Sequence, residues 1–272
     1  MDAKGTAVVT GASRGIGRAV AIELARRGFD VIATMRDPDA GAALAEESSG
    51  ATGSLRVERL DVTDPSTINL PDGLRVLVNN AGVEDDNLPI EVMPIEIWRR
   101  LFETNVFGLV AVTQQAIPKL RANGGGVICN ITSSSILAPV PFLAAYRASK
   151  AAVMALGESL VAEVAPFGIR VVEIMPGPIA TDMLATSERP SAAIEHEQYR
   201  AMAEHMWESR KGIRDLHTPT ADAARDIADA ILDDDGPLRY GCDPLSNGLL
   251  DAWRAAESDE MFLRSMLQGF TT

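Results

Sequence analysis

Residues that form cross-links or bind transition metals are scarce in this sequence. Among 272 residues there are two cysteines, Cys129 and Cys242, and three histidines, His196, His205 and His217. Each cysteine lies in or beside a strand-like run, which predicts neither a disulfide framework nor a cysteine-based metal site. The histidines do not have the spacing of a zinc-binding helix pair. We therefore expect a protein of a reducing compartment that uses no catalytic metal.

Basic residues and long apolar stretches are also few. The chain has 25 Lys and Arg residues against 38 Asp and Glu residues, a formal net charge of -13. Such a surface repels phosphate backbones and anionic membrane faces, so the composition argues against nucleic-acid and membrane partners. No segment is long and apolar enough to span a bilayer, and the N-terminus has no signal-peptide pattern. We therefore expect a cytoplasmic protein.

Short apolar runs alternate with helical patterns along the chain. Near-continuous apolar runs are typical of strands in a parallel sheet that is buried on both faces. The alternation predicts an α/β fold, a single-domain (1–272), Rossmann-like, doubly wound parallel sheet with helices on both faces. The strand-like runs are 6–10, 31–34, 55–60, 74–79, 126–131 and 169–175, and the helical stretches include 17–28, 98–120 and 149–168.

Four regions depart from the simple alternation. The stretch between residues 61 and 79 is too short for a full helix and a strand, so the helix there is truncated. Residues of about 184–217 have weak periodicity and are predicted to form a substrate loop. Residues 218–236 predict a packing helix with a Thr N-cap and a Gly stop. Residues of about 246–268 predict a C-terminal helical extension that docks on the body or on another subunit.

A glycine-rich turn follows the first strand-like run. Glycine permits a tight turn and close approach of a pyrophosphate, and the following helix N-terminus supplies amide donors. The turn therefore predicts a dinucleotide site, the alternative being a sharp strand-to-helix turn without a ligand. Within TGASRGIG (10–17), the predicted cofactor contacts are Gly11, Ser13, Arg14, Gly15, Ile16 and Gly17.

The end of the second strand-like run predicts which dinucleotide binds. An acidic residue at this place selects NAD, because it bonds the ribose hydroxyls and repels a 2′-phosphate. Here the position holds Met35, and Arg36 follows it. A guanidinium binds a phosphate with paired hydrogen bonds, and Arg14 approaches from the glycine turn. The pattern favours NADP(H); the alternative is that both arginines are solvated and Asp37 bonds the ribose.

Several motifs occur together in a fixed order. Their residue types, order and spacing resemble those of the short-chain dehydrogenase/reductase superfamily over residues 10–181. The phrases ATMRD, TNVFG and RYGCDP are similar to those of its hydroxysteroid- and retinol-dehydrogenase-like branch. The motifs are TGASRGIG (10–17), Asp61 with Val62, NNAG (79–82), Asn105, Ser133, YRASK (146–150) and PGPIAT (176–181).

The resemblance implies a nicotinamide ring beside a catalytic group of four residues. In that group Tyr146 transfers the proton, and Ser133 hydrogen-bonds the substrate oxygen, with Ser134 and Ser135 as adjacent candidates. Asn105 interrupts a long helix and binds a water that is linked to Lys150. The resemblance further assigns cofactor contacts outside the glycine turn, in addition to Tyr146 and Lys150. These are Asp61 and Val62 at the adenine, Asn79, Ala81 and Gly82 on the adenosine side, and Pro176, Gly177, Ile179 and Thr181 beside the carboxamide.

The chemistry of Tyr146 and Lys150 supports these roles independently. Four residues apart in a helical pattern, they share a face one turn apart. A free tyrosine has a pKa of about 10, and a nearby ammonium is expected to lower it. Tyr146 then exchanges a proton with an alcohol or carbonyl as hydride moves to or from the nicotinamide. The alternative is a surface tyrosine and a surface lysine on an amphipathic helix.

Apolar residues beside these motifs predict the substrate. An apolar cleft with adaptable methionines fits a hydrophobic alcohol, ketone or aldehyde. Two other classes of protein stay open, a non-catalytic NADP(H)-binding sensor or scaffold and a methyltransferase, although the latter requires an acid at position 35. We expect a homodimer through the helices near 98–120 and 149–165, or a homotetramer. The predicted walls are Leu137, Val140, Phe142, Met183, Leu184, Met202 and Met206.

Overall fold

The computed structural model describes residues 1–187, 190–211 and 217–267. Within them lies a seven-stranded parallel sheet of order β3-β2-β1-β4-β5-β6-β7. The predicted doubly wound sheet is therefore confirmed, and its short seventh strand lies beside Cys242, where a strand-like run was expected. The strands are β1 Thr6–Val9, β2 Asp30–Met35, β3 Ser54–Arg59, β4 Leu74–Asn79, β5 Gly126–Ile131, β6 Ile169–Ile174 and β7 Arg239–Tyr240.

Helices connect successive strands and cover both faces of the sheet. One face packs on helices near the start of the chain and near residue 227, the other on helices from the middle of the chain. The helices are α1 Gly15–Arg27, α2 Leu44–Glu47, α3 Ile95–Phe102, α4 Leu109–Ala122, α5 Ala144–Val164, α6 Asp182–Ser187, α7 Arg200–Lys211, α8 Thr220–Leu232, α9 Pro244–Ala255 and α10 Asp259–Leu267.

The strand order reverses beside β1, and this reversal positions the crevice of the sheet. Val8 of β1 pairs with Ile32 of β2 on one side and with Leu77 of β4 on the other. The chain leaves β1 toward one face and β4 toward the other, so a cleft opens where the two strands end. The core continues beneath it, because Val8, Ile32 and Leu77 are each at most 2% exposed.

The long helix predicted over 98–120 is interrupted. A π-helical segment, Glu103–Gly108, separates α3 from α4. Two contacts account for this interruption. Asn105 points inward and forms hydrogen bonds with the backbone of Val83. Gly108 packs so closely on Val62 that a Cβ on Gly108 would lie 2.6 Å from Val62 Cγ2. Such insertions in a helix are frequent at functional sites.

Other helix boundaries differ from those predicted. Helix α5 begins at Ala144 rather than at residue 149, which places Tyr146 in its first turn. Helix α8 has Pro219 at its N-cap with no side-chain cap and ends at Leu232, so the predicted Thr cap and Gly stop are wrong. Proline at that position sets the backbone angle that starts the helix.

The C-terminal extension forms two helices. Asp243 caps α9 by accepting a hydrogen bond of 2.9 Å from the Ser246 N–H, and α10 starts after a break at residues 256–258.

The truncated helix predicted between residues 61 and 79 is confirmed as the single 3₁₀ turn Pro65–Thr67, capped by Asp64. None of the helices in the described ranges combines the length and apolarity that a membrane span requires.

A buried carboxylate ties the extension to the sheet. Glu173 of β6 is 0% exposed, and its Oε2 accepts a hydrogen bond of 2.8 Å from Arg239 Nε. Arg239 also pairs with the exposed Glu158 of α5 and lies 5.5 Å from the ring centroid of Trp253 in α9. Burial raises the pKa of Glu173 to about 7, because the nearby charge of Arg239 offsets only part of the rise that burial causes.

This pKa predicts a pH dependence of stability. The folded value of about 7 lies above the ordinary value of 4.5, so the unfolded chain loses this proton first as pH rises. The contribution of Glu173 is therefore greatest below pH 4.5 and declines up to about pH 7, in total by about 3 kcal/mol. Urea titrations across this range should show a shallower decline for Glu173→Gln. Glu163→Gln, which removes an exposed carboxylate of α5, should keep the wild-type slope; identical slopes in all three proteins would contradict the prediction.

Candidate active site

A cavity of about 590 Å³ lies at the carboxyl ends of the central strands. It brings together residues that are up to 238 positions apart in the chain, since Gly11 and Leu249 both line it. Most of the predicted site residues are in its wall. These are Gly11, Ser13, Arg14, Gly15, Ile16, Arg36, Asp61, Val62, Ala81, Gly82, Ser133, Tyr146, Lys150, Pro176, Gly177, Ile179 and Thr181.

Three predicted site residues, Gly17, Asn79 and Asn105, lie behind this wall. A Cβ on Gly17 would come within 2.2 Å of Asn80 Nδ2, so a glycine at this position permits close packing of α1 on the loop that follows β4. Asn79 is 3% exposed and donates to Thr113 Oγ1 at 2.9 Å and Asn130 Oδ1 at 3.0 Å. These contacts support the shape of the site from beneath.

The glycine turn has the geometry of an anion cradle. Gly11 and Gly15 have left-handed φ angles of +65° and +57°, and a Cβ on Gly11 would lie 2.7 Å from Ala81 Cα. The N-cap of α1 is the extended Arg14, whose side chain does not cap the helix. The first amide groups of α1 therefore face the cavity as donors.

Thr10 and Asn80, which sequence reasoning missed, hold this turn in place. Thr10 Oγ1 accepts hydrogen bonds of 3.0 Å from the N–H groups of Asn80 and Ala81. Asn80 Nδ2 in return donates to the carbonyl oxygens of Thr10 at 2.9 Å and Gly11 at 3.1 Å. The two strands that flank the crevice are thus joined directly beneath it. A Thr before the turn and the second Asn of NNAG were the available signals.

Two arginines line the end of the cavity beside β2. Arg36 is exposed and follows Met35, which is 3% exposed and packs against Gly41. Arg14 is also exposed, with Asp182 Oδ2 at 3.8 Å from its Nη1. Asp37, the alternative ribose ligand, accepts a hydrogen bond of 3.1 Å from the Asp39 N–H and so caps its own turn. Arg14 and Arg36 thus bring two guanidinium groups to this cavity, which the carboxylates of Asp61 and Asp182 also line.

Tyr146, Lys150 and Ser133 meet at the other end of the cavity. All three line the cavity, and the Ser133 hydroxyl interacts with the phenol of Tyr146 in the sense that lowers its pKa. Lys150, 6% exposed, donates from Nζ to the Ile131 carbonyl at 2.9 Å, and its Nζ lies 5.9 Å from the Tyr146 ring centroid. Ser133 Oγ also lies 2.9 Å from Ser135 Oγ. The helix start at Ala144 and the end of β5 bring these groups together.

The expected lowering of the Tyr146 pKa is wrong for this structure. Burial raises the pKa of Tyr146 above its ordinary value, the carboxylate of Glu84 raises it further, and the bond from Ser133 offsets part of the rise. Burial likewise lowers the pKa of Lys150 to about 8. Desolvation penalises the charged form of each group, and here it outweighs the attraction between phenolate and ammonium. At neutral pH Tyr146 is thus a neutral acid beside a mostly protonated Lys150.

Asn105 clamps the loop that follows β4. Its Oδ1 accepts a hydrogen bond of 2.8 Å from the Val83 N–H, and its Nδ2 donates to the Val83 carbonyl and to Ser149 Oγ, both at 3.0 Å. Ser149 donates in turn to the Tyr146 carbonyl at 2.7 Å. Asn105 therefore sets the position of residues 82–84 relative to α5, and its predicted role in holding a water stays a prediction.

The remaining wall is mostly apolar. Val140, Met183 and Leu184 line it as predicted. Leu137, Phe142 and Met206 instead belong to hydrophobic clusters, and Met202 is 42% exposed, so the prediction of these four as walls is wrong. Sequence reasoning also missed several lining residues. Two of them, Leu245 and Leu249, belong to α9, which only folding brings to the cleft. The others are Glu84, Leu143 and His217.

Nothing in the described ranges clusters three or more His, Cys, Asp or Glu side chains in a way that could hold a metal ion.

Comparison with known proteins agrees with this geometry. The family model described as short chain dehydrogenase matches residues 5–192. The chain belongs to the short-chain dehydrogenase family. This membership removes the methyltransferase alternative and makes the chain an oxidoreductase of that family.

Relatives and solved structures of this family cover most of the short-chain dehydrogenase described here. An uncharacterised oxidoreductase of Bacillus subtilis is 40% identical over 193 residues, which are 68% of each chain. The 3β-hydroxysteroid dehydrogenase 1 of Eggerthella lenta is 36% identical over 195 residues, 68% of this chain and 74% of the relative. A short-chain dehydrogenase of Burkholderia cenocepacia, solved in complex with NADP, has the same fold, with a TM-score of 0.74, 23% identity and full coverage of both chains.

The clamp at Asn105 predicts a stability effect. Asn105 is 1% exposed, and its removal leaves the N–H and carbonyl of Val83 without these partners. Asn105→Ala should lower the free energy of unfolding by roughly 2–4 kcal/mol, measured by urea denaturation. Asn247→Ala, on the exposed side of α9, should change it by less than about 0.5 kcal/mol. Equal stability of the two variants would contradict the assigned clamp.

Proposed function

We propose that this chain is an NADP(H)-dependent dehydrogenase that acts on CH–OH groups and interconverts a hydrophobic secondary alcohol and its ketone, or the related aldehyde pair. The observation that carries the proposal is that Tyr146, Ser133 and Lys150 line a cavity that also presents Arg14 and Arg36. A proton-transferring group and a phosphate-binding group in one crevice suit a dinucleotide oxidoreductase.

The residues of the crevice fit a dinucleotide. The uncapped start of α1 and the glycine cradle suit the pyrophosphate, and Thr181 lies across from Gly15, 3.2 Å from the position of a Cβ there. Arg36 and Arg14 suit a 2′-phosphate, whereas Met35 leaves no carboxylate to repel it. The complex of the Burkholderia relative with NADP is consistent with this choice. When bound, the nicotinamide supplies or accepts the hydride.

The chain's own residues then orient the substrate and move the proton. Ser133 hydrogen-bonds the substrate oxygen beside Tyr146. In the reducing direction the neutral Tyr146 donates its proton to the oxygen of the carbonyl, which becomes the alcohol hydroxyl. The ammonium of Lys150 stabilises the phenolate that results. In the oxidising direction the phenolate takes the proton back from the alcohol.

The architecture also supports proposals on organisation. We infer one domain with its substrate loop at about 184–217, and a cytoplasmic homodimer through the α3–α4 and α5 helices. Phe107 in the π-helical segment is 58% exposed and Val161 of α5 is 38% exposed, which leaves apolar side chains for a second copy to cover. A homotetramer is the alternative.

A non-catalytic NADP(H) sensor or scaffold of the same fold is the alternative function, and turnover of any carbonyl substrate excludes it.

Replacement of the proton donor is the direct test of the proposed chemistry. Tyr146→Phe should lower kcat for ketone reduction roughly 10²–10⁴-fold, because the ring is kept and only the hydroxyl is lost. Affinity for NADPH, measured by fluorescence titration, should change by less than about threefold, since the phosphate-binding residues are intact. A variant that keeps most of its activity would contradict the role of Tyr146, and tight NADPH binding without turnover by the wild type would favour the sensor.

Replacement of Arg36 tests the choice of cofactor. Arg36→Ala should raise the KM for NADPH roughly 10–100-fold and leave that for NADH nearly unchanged, because only NADPH carries the 2′-phosphate. Arg99→Ala, an exposed arginine of α3 outside the crevice, is the matched control and should alter neither constant. Equal use of NADH and NADPH by the wild-type protein would contradict the preference.

A further inference from the structure

Arg147, the residue after Tyr146, binds the backbone of a neighbouring turn. It is half-buried on α5, and its guanidinium group donates to two consecutive carbonyl oxygens, from Nε to Ser135 at 2.6 Å and from Nη2 to Ile136 at 3.0 Å. A planar guanidinium group presents its donors in a fixed geometry and can hold two acceptors at once. Arg147 therefore fixes this turn against α5.

The turn that Arg147 holds carries the serine of the site. Residues 134–136 form a single 3₁₀ turn with Ser133 at its N-cap. The carbonyls of Ser133 and Ser134 accept hydrogen bonds of 3.2 Å and 3.0 Å from the N–H groups three residues further on. The next two carbonyls are those that Arg147 binds. The guanidinium group thus supplies donors to the carbonyls at the C-terminal end of the turn.

The turn also holds the hydroxyl group of Ser133. Ser133 Oγ accepts a hydrogen bond of 3.2 Å from the Ser135 N–H and lies 2.9 Å from Ser135 Oγ. The carbonyl of the same Ser135 accepts the shorter of the two Arg147 bonds, at 2.6 Å. A series of contacts therefore runs from Arg147 through Ser135 to Ser133 Oγ. Because Tyr146 precedes Arg147 on α5, these contacts set the serine hydroxyl relative to the phenol.

We propose that Arg147 is a positioning residue, whose paired hydrogen bonds to the serine turn hold the Ser133 hydroxyl where it and Tyr146 reach the same substrate oxygen. The inference rests on the proposed function and adds a residue that lies outside the cavity wall. A misplacement of about 1 Å in a substrate-positioning group can cost on the order of 10²-fold in rate. Loss of the paired bonds should therefore lower turnover and leave cofactor binding intact.

A double-mutant cycle tests the proposal, with NADPH and whichever ketone of a panel that includes cyclohexanone and benzylacetone the wild-type protein reduces fastest. Arg147→Met, which keeps an apolar stem, should lower kcat roughly tenfold or more and change the affinity for NADPH by less than about threefold. In a Ser133→Ala background the same substitution should lower kcat by less than about twofold, because the hydroxyl that it positions is absent. Arg147→Lys, which keeps a cationic donor, should recover part of the loss.

Arg170→Met is the matched control for a merely structural role. Arg170 is also half-buried and also donates to two consecutive carbonyls, those of Ala230 and Ile231. It lies near the start of β6, whereas the cavity is at the other end of that strand, where Pro176 follows. Its replacement should lower stability in urea and leave kcat unchanged, when kcat is expressed per NADPH-binding site so that unfolded protein is not counted.

The outcomes separate the inference from the proposed function. An unchanged kcat in Arg147→Met, an equal fall in both backgrounds, or an equal fall in Arg170→Met overturns the inference while ketone reduction by the wild type upholds the proposed function. If Arg147→Met does not fold, the cycle is made with Arg147→Lys and the same criteria apply. Failure of the wild-type protein to reduce any carbonyl compound overturns the proposed function itself, and the inference with it.

Discussion

The site depends on one constraint, the divergence of the chain where β1 and β4 end side by side. Both strands are almost fully buried, and their continuations leave toward opposite faces of the sheet. The hydrogen bonds between Thr10 and Asn80 keep the two ends together at the base of the opening. Without that junction neither the glycine turn nor the loop of Glu84 would have a defined position.

Low hydration then determines how the polar groups of the crevice behave. Burial makes Tyr146 a poorer acid and Lys150 a poorer base than in water. Both pKa shifts favour the uncharged forms of the two groups. The carboxylate of Glu84 raises the pKa of the phenol further. The phenol is therefore protonated at neutral pH, as a proton donor must be, but its raised pKa makes it a weaker donor than a free tyrosine.

Much of the site was predictable because its requirements are local. The glycine turn needs backbone angles that few residues adopt, and Tyr146 and Lys150 share a face wherever a helix forms. The predictions failed where an outcome depended on a distant partner. Phe142, for example, is not in the cavity wall because its ring packs edge to face on that of Tyr199, with 6.0 Å between the centroids.

The sequence by itself determined the alternation of strands and helices, the family and the edge of the sheet at which the chemistry is expected, since periodicity and ordered motifs are carried by short segments. Only the tertiary structure decided which apolar residues of α9 reach the cleft and that Glu84 lines the same cavity as Tyr146. It also decided the direction of the Tyr146 pKa shift. These features depend on distances and solvent exclusion between segments far apart in the chain, which no local pattern encodes.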